Sequence, residues 1–220
     1  NFNNQSLSID VSLHIGSFIA VLTYFNKEVI NFFDNRILFY KIFISSVPVM
    51  IIGFLLVKTG LIEKIRNIET IAWTTFVFGI LLYVSDRFKL ERNIKKNFTY
   101  KSAIFIGLFQ VLSLIPGVSR SGIAITAARL LNFKRIDAAK ISFFISIPIL
   151  GAVSLLGLKN LILEEDSNFT TLNLISVIFS FFFSLITIKF FLNFINKFNL
   201  NVFVYYRVLL GLVLLILAYL

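Results

Sequence analysis

The chain is a succession of long apolar runs separated by short clusters of charge. Uncharged stretches occupy positions 11–26, 42–57, 70–85, 102–119, 141–158, 167–188 and 208–220. Most reach about 20 residues once flanking lysines and arginines lay their aliphatic stems along the apolar region, enough for a hydrocarbon core about 30 Å thick. The runs are rich in Leu, Ile and Phe and lack the in–out alternation of barrel strands, so they predict helices. Six spanning helices are predicted, at about 9–25, 37–58, 70–85, 138–159, 171–195 and 202–220.

The remaining run is different. Residues 102–132 break at Pro116-Gly117 into two limbs, 102–115 and Ser121–Asn132. Each limb is only about 20 Å long as a helix, too short to cross. Two short helices meeting at a turn predict a re-entrant hairpin, entering and leaving on one side; the alternative is a single kinked crossing. Charge separates them. Residues 86–101, DRFKLERNIKKNFTYK, carry six basic residues against two acidic ones and read as a cytoplasmic loop. The hairpin keeps Lys134 and Arg135 on that side and the acidic "EED" at 164–166 on the other, whereas a kinked crossing reverses both. Pro48 and Pro148 read as bends tolerated in spanning helices, and Trp73 and the scattered tyrosines as packing or interfacial anchors.

The expected fold is therefore all-α: a polytopic membrane bundle of about six transmembrane helices plus a re-entrant hairpin, in a single transmembrane domain, 1–220. The order of elements suggests an inverted repeat. Residues 1–100 hold three spans, and residues 101–220 hold the hairpin, at about 102–132, followed by three more. On that reading the first repeat lacks its hairpin, which is expected upstream of residue 1. The chain starts at Asn1 and its sole methionine is Met50, so its N-terminus is expected to be incomplete.

Composition agrees and removes other classes. At 58% hydrophobic residues and a mean hydropathy of +0.90 the chain is no soluble domain. A net charge of +10 would suit nucleic acid, but the basic residues fall between the apolar runs, where topology places them, so no nucleic-acid partner is expected. Without cysteine there is no disulfide framework or thiolate metal site.

The hairpin turn carries the chemistry. An arginine at membrane depth costs about 2.5–3.5 kcal/mol on insertion scales, so Arg120 must face a cavity or a partner. Ser119 and Ser121 offer hydroxyls, the turn frees backbone N–H groups, and the following half-helix points its positive end at the same place. All of these favour an oxyanion, and phosphate best matches the guanidinium fork. Arg207, in FVYYRVLLGLV, is a second intramembrane cation with no carboxylate near it in sequence. Two blander readings stay open: Ser-Arg-Ser as a helix cap, and Arg207 snorkelling to the headgroups.

The stretch YKSAIFIGLFQVLSLIPGVSRSGIAITAARLLNFKRIDAAKISFFISIPILGA resembles the signature region of the undecaprenyl-diphosphatase family, bacterial membrane enzymes linked to bacitracin resistance. The likeness continues through IDVSLHIGSFIAVLTYF and YYRVLLGLVLLI and so covers essentially the whole chain. It implies hydrolysis of undecaprenyl diphosphate to the monophosphate on the outer side of the bacterial inner membrane, recycling the lipid carrier of peptidoglycan synthesis. It also implies six spans and two re-entrant hairpins, and a phosphate loop of Pro116, Gly117, Ser119, Arg120 and Ser121, with Arg207 on the last helix. Gln110 falls where the family usually has glutamine, and His14 where many members have glutamine. Arg120, Ser119 and Arg207 are thus the expected catalytic residues, with Pro116, Gly117, Ser121, Gln110 and His14 binding the substrate phosphates.

Two departures stand out. Ala124 occupies a place where the family usually has threonine, and Thr126 lies on a different helix face. The paired-glutamate motif and the Ser-Ser-Thr-Gly-His stretch of the family's first hairpin have no match. The resemblance implies a divalent cation, Mg²⁺ or Ca²⁺, yet the glutamates here, Glu28, Glu63, Glu69, Glu91, Glu164 and Glu165, lie in loops or at helix ends. His14 suits proton transfer by its ordinary pKa, or simply hydrogen-bonds within the bundle. Ser119 as nucleophile lacks a visible base. The expected partners are a polyprenyl diphosphate lipid and the bilayer, with homo-oligomerisation left open. The competing class is a transporter or flippase that moves a polyprenyl phosphate lipid without chemistry.

Overall fold

The computed structural model describes residues 2–34, 36–163 and 171–220. Lipid offers no partner for backbone polar groups, and these apolar sequences satisfy them internally as helices. In chain order these are α1 (Phe2–Tyr24), α2 (Asn26–Asp34), α3 (Arg36–Thr59), α4 (Leu61–Ile65), α5 (Ile68–Asp86), α6 (Ile94–Asn97), α7 (Tyr100–Val111), α8 (Arg120–Leu130), α9 (Arg135–Leu163), α10 (Thr171–Lys197) and α11 (Asn201–Tyr219). Among the described residues the only strand-like pairing is an isolated parallel bridge between Arg92 and Phe133.

Five helices, α3, α5, α9, α10 and α11, are long and apolar enough to cross a membrane. The remaining expected span forms α1, whose apolar part, Ser8–Tyr24, is shorter. The protein is an all-α, polytopic membrane protein. Pro48 and Pro148 both lie inside continuous helices, as expected. The short helices α2 and α4 were not anticipated, because hydropathy runs do not register polar-rich segments. The acidic residues at 164–166 lie outside the described residues.

The chain forms two compact units, each drawn from both of its halves: residues 1–39 with 146–193, and residues 40–145 with 194–220. In the first unit α1 packs on α10 through small residues. A Cβ on Gly16 would run into the backbone at Val177 and Phe181, and Ser17 lies 3.0 Å from Ser180 and 3.1 Å from Ser184, hydroxyl to hydroxyl. Ser180 donates to the Leu13 carbonyl at 2.6 Å. Close approach of backbones plus hydroxyl pairing is how helices associate where lipid removes the hydrophobic incentive. The second unit uses the same device. A Cβ on Gly107 of α7 would stand 2.5 Å from the Ser45 carbonyl oxygen of α3, and one on Gly211 of α11 would stand 2.8 Å from the Phe76 backbone of α5.

At the basic end of the second unit one carboxylate gathers four segments. Asp86 closes α5 and is almost fully buried. Its Oδ1 accepts from Arg135 Nε at 2.7 Å and lies 3.4 Å from Arg129 Nε, and its Oδ2 accepts from the Leu200 amide at 3.2 Å, at the start of α11. Arg129 has no exposed side-chain surface; it donates to the carbonyls of Asp86 and Lys89 at 3.2 Å each, and to those of Phe88 and Phe133. The backbone reinforces this junction. The Glu91 and Arg92 amides donate to the Asn132 carbonyl at 3.1 and 3.0 Å, and the Lys134 amide donates to Arg92 at 2.9 Å. The chain leaving α8 therefore comes back to the basic loop that leads into α7. The two limbs fold back on one another as a helical hairpin, the arrangement the re-entrant reading expects, and do not form one kinked helix.

Asp86→Ala strands a buried guanidinium. We expect it to cost about 3–5 kcal/mol, read as a lowered thermal midpoint in detergent, whereas Lys58→Ala at an exposed helix end shifts stability by no more than about 0.5 kcal/mol.

Candidate active site

The hairpin tip is built from α7, a 3-10 turn over Leu112–Leu114, the segment Ile115–Ser119 and α8. The Val118 amide donates to the Ile115 carbonyl at 3.2 Å, and Gly117 has a φ of 89°, so Pro116 and Gly117 are the two central residues of a type II turn. Glycine is required twice over at 117: for the positive φ, and because a Cβ there would collide with the Thr74 hydroxyl and the Ile71 backbone of α5.

Two helices hold the turn. Thr74 of α5 donates to the Pro116 carbonyl at 2.6 Å, a hydroxyl it also keeps within reach of its own helix at Thr70 and Ile71. Thr75 donates to the Gly117 carbonyl at 3.3 Å, and Arg207 Nη2 of α11 donates to the same carbonyl at 2.9 Å. Arg207 reaches it because α5 and α11 cross closely: a Cβ on Gly79 would lie 3.1 Å from the Arg207 Cβ. The side chain is 9% exposed and turned toward the loop, which settles its orientation against snorkelling. Its Nη1 lies 2.9 Å from where a Cβ on Gly122 would be, against the first turn of α8, and its buried Nε has no hydrogen-bond partner.

Ser119 is the N-cap of α8. Its Oγ accepts from the Gly122 amide at 3.1 Å, its carbonyl accepts from Ile123 at 2.9 Å, and its hydroxyl lies 3.3 Å from that of Ser121. The next two amides, of Arg120 and Ser121, begin the helix and have no preceding carbonyl to receive them. The Arg120 side chain makes no hydrogen bond or ion pair among the described residues, and Ser121 is exposed. Cap and anion-directed readings thus coincide: Ser119 caps the helix, and its capping leaves free N–H groups, a hydroxyl and an uncommitted guanidinium at the positive end of the helix dipole.

The structure brings Pro116, Gly117, Ser119, Arg120, Ser121 and Arg207 together, with Gln110 two residues before the 3-10 segment on the same hairpin. Gln110 is 1% exposed and its Oε1 is an unpartnered buried acceptor. His14 is carried by α1 in the other compact unit. Ala124 is buried, and the Thr126 hydroxyl donates to the Gly122 carbonyl at 2.8 Å, so Thr126 does not stand in for the absent hydroxyl. Sequence reasoning missed Thr74 and Thr75; adjacent hydroxyls in an otherwise apolar span, IAWTTFVF, are the signal that marks them.

Residues 1–213 match the family described as "Bacitracin resistance protein BacA". The chain belongs to this family. It is 48% identical over 219 residues to an undecaprenyl-diphosphatase of Pelagibacter ubique, covering 99% of this chain and 85% of the relative. It is 40% identical to one from Saccharophagus degradans, covering 96% and 83%, and 36% identical to one from Roseobacter denitrificans, covering 98% and 86%. The geometry around Arg120 supplies a cluster of anion donors at the hairpin tip.

The same geometry does not fit a divalent cation held by side chains. The groups around the loop are guanidinium, hydroxyl and amide, and among the described residues no cluster of three or more His, Cys, Asp or Glu exists.

Gly117→Ala must force the tip away from α5. The expected result is a protein that still purifies as a folded species but loses at least tenfold in phosphate release from a lipid diphosphate, because Arg120 and the free amides move with the turn.

Proposed function

We propose that the protein hydrolyses undecaprenyl diphosphate to undecaprenyl phosphate and inorganic phosphate in the bacterial inner membrane, renewing the lipid carrier of peptidoglycan synthesis. The observation that carries the reading is the uncommitted Arg120 guanidinium at the start of α8, next to two serine hydroxyls and two unpaired amides, with no carboxylate to neutralise it among the described residues.

In this reading the terminal phosphate sits against the α8 N-terminus. Arg120 offers two parallel N–H donors to two phosphoryl oxygens, and Ser119 and Ser121 donate their hydroxyl protons to the same group. Ser119 does so while its oxygen accepts the Gly122 amide, so one side chain orients both helix and ligand. Arg207 has a second task, holding the Gly117 carbonyl, and adds positive potential from behind the loop. Water oxygen bonds to the terminal phosphorus and the bridging P–O bond breaks; the described residues contribute position and charge stabilisation as negative charge shifts onto the phosphoryl and leaving oxygens. Gln110, buried with a free acceptor on the same hairpin, belongs to the proposed substrate-binding set.

The test is phosphate release from undecaprenyl diphosphate by the purified protein, with Mg²⁺, with Ca²⁺ and with EDTA. Arg120→Ala should reduce release by a factor of about 10³ or more, the scale set by other arginines that stabilise phosphoryl-transfer transition states. Loss of release in EDTA would assign a metal requirement to groups outside the described set. Binding of the lipid with no release by a folded protein would overturn the enzyme reading in favour of a transporter.

Arg207→Lys separates the two tasks of that residue. Lysine keeps the charge but cannot place one nitrogen on the Gly117 carbonyl and another against Gly122. We expect kcat to fall about tenfold or more with KM changed much less, because the loop is misplaced while its attraction for the phosphate persists.

A further inference from the structure

The basic loop is more than a topology signal, because it is folded. Asn93 caps α6 by accepting the Lys96 amide at 2.9 Å, and Asn97 reaches back to accept the Asn93 amide at 3.1 Å. Thr99 caps α7 by accepting the Ser102 amide at 3.2 Å. Phe98, between the two helices, is 2% exposed and meets Phe133 edge to face. The bridge from Arg92 to Phe133 then ties the loop to the hairpin's exit.

This folding frames an open cleft of about 450 Å³ whose lining includes Arg92, Lys96 and Lys101 together with Phe105 and Leu131. Its size falls within the roughly 300–1,000 Å³ typical of small-ligand sites. The three cations are exposed, and none forms an ion pair among the described residues. The nearby carboxylate of Glu91 is engaged by Lys89 at 3.5 Å. Beyond the cavity, α7 continues with exposed Ile104 and Leu108, so a cationic cradle opens onto an apolar track along a hairpin in the membrane.

We infer that this cavity is a binding site for an anionic phospholipid of the cytoplasmic leaflet, its phosphate held by Arg92, Lys96 and Lys101 and its acyl chains lying along Phe105 and Leu108. Uncompensated cations of a folded loop attract the headgroup at the charged surface of that leaflet, and the adjoining apolar face distinguishes a lipid from a free anion. The site is separate from the Arg120 loop, which lies at the other end of the same hairpin.

Two charge-matched variants test the inference in the full-length chain. Lys96→Gln/Lys101→Gln removes two cations from the cavity, and Lys95→Gln/Lys134→Gln removes two exposed cations from the same end outside it. Phosphatidylglycerol is titrated into detergent-solubilised protein and bound lipid is counted by native mass spectrometry, with phosphatidylcholine and inorganic phosphate as the other arms. The expected result is that the cavity variant binds phosphatidylglycerol roughly 30-fold more weakly while the outer variant stays within about threefold of the parent. Equal weakening in both variants, equal binding of phosphatidylcholine, or displacement of the lipid by millimolar inorganic phosphate would each overturn it. Gel filtration of both variants as a single species keeps misfolding from imitating the loss.

Discussion

A buried guanidinium has to be answered from within the protein, and Arg129 shows what that demands. Its side chain is sealed from solvent, and its neighbours are one carboxylate and four carbonyls drawn from the end of α5, the loop after it and the exit of α8. Asp86 in turn holds Arg135 at the start of α9 and the Leu200 amide at the start of α11. These contacts fix where four helices begin or end. Burying such charges gains little net stability over apolar packing, but an arrangement that is costly to break in any other geometry enforces one junction.

The hairpin is held from both of its ends. Its base is pinned by the Asp86 junction, and its tip by Thr74, Thr75 and Arg207. Between these fixtures the turn carbonyls of Pro116 and Gly117 face inward to donors, which leaves the opposite face of the turn to present amides and hydroxyls. A loop that must offer N–H groups to an anion has first to dispose of its carbonyls, and the two spanning helices do this.

Much of the architecture was legible because lipid imposes a simple code. Length and absence of charge located the spans, and the short limbs on either side of Pro116-Gly117 located the hairpin. Ser119, Arg120 and Ser121 were legible as a candidate site because polar groups at membrane depth need a reason. The partners of these groups were not legible. That Arg207 reaches the Gly117 carbonyl depends on the crossing of α5 and α11 at Gly79 and Gly211, and nothing local in sequence reports which helices cross. In the sequence Arg129 is one basic residue near a loop and Asp86 one acid within a basic segment; only their burial together shows their weight. The helix α2 escaped because its composition is too polar for a span.

The bond from Arg207 to the Gly117 carbonyl joins residues 90 positions apart. During synthesis at about 5–20 residues per second, the hairpin therefore leaves the ribosome several seconds before the arginine that completes it. Over that interval its tip can be held by the α5 threonines, already made, but not by α11. The final geometry of the loop is thus set by α11, so a nascent chain cannot assemble this site until that helix has joined the bundle.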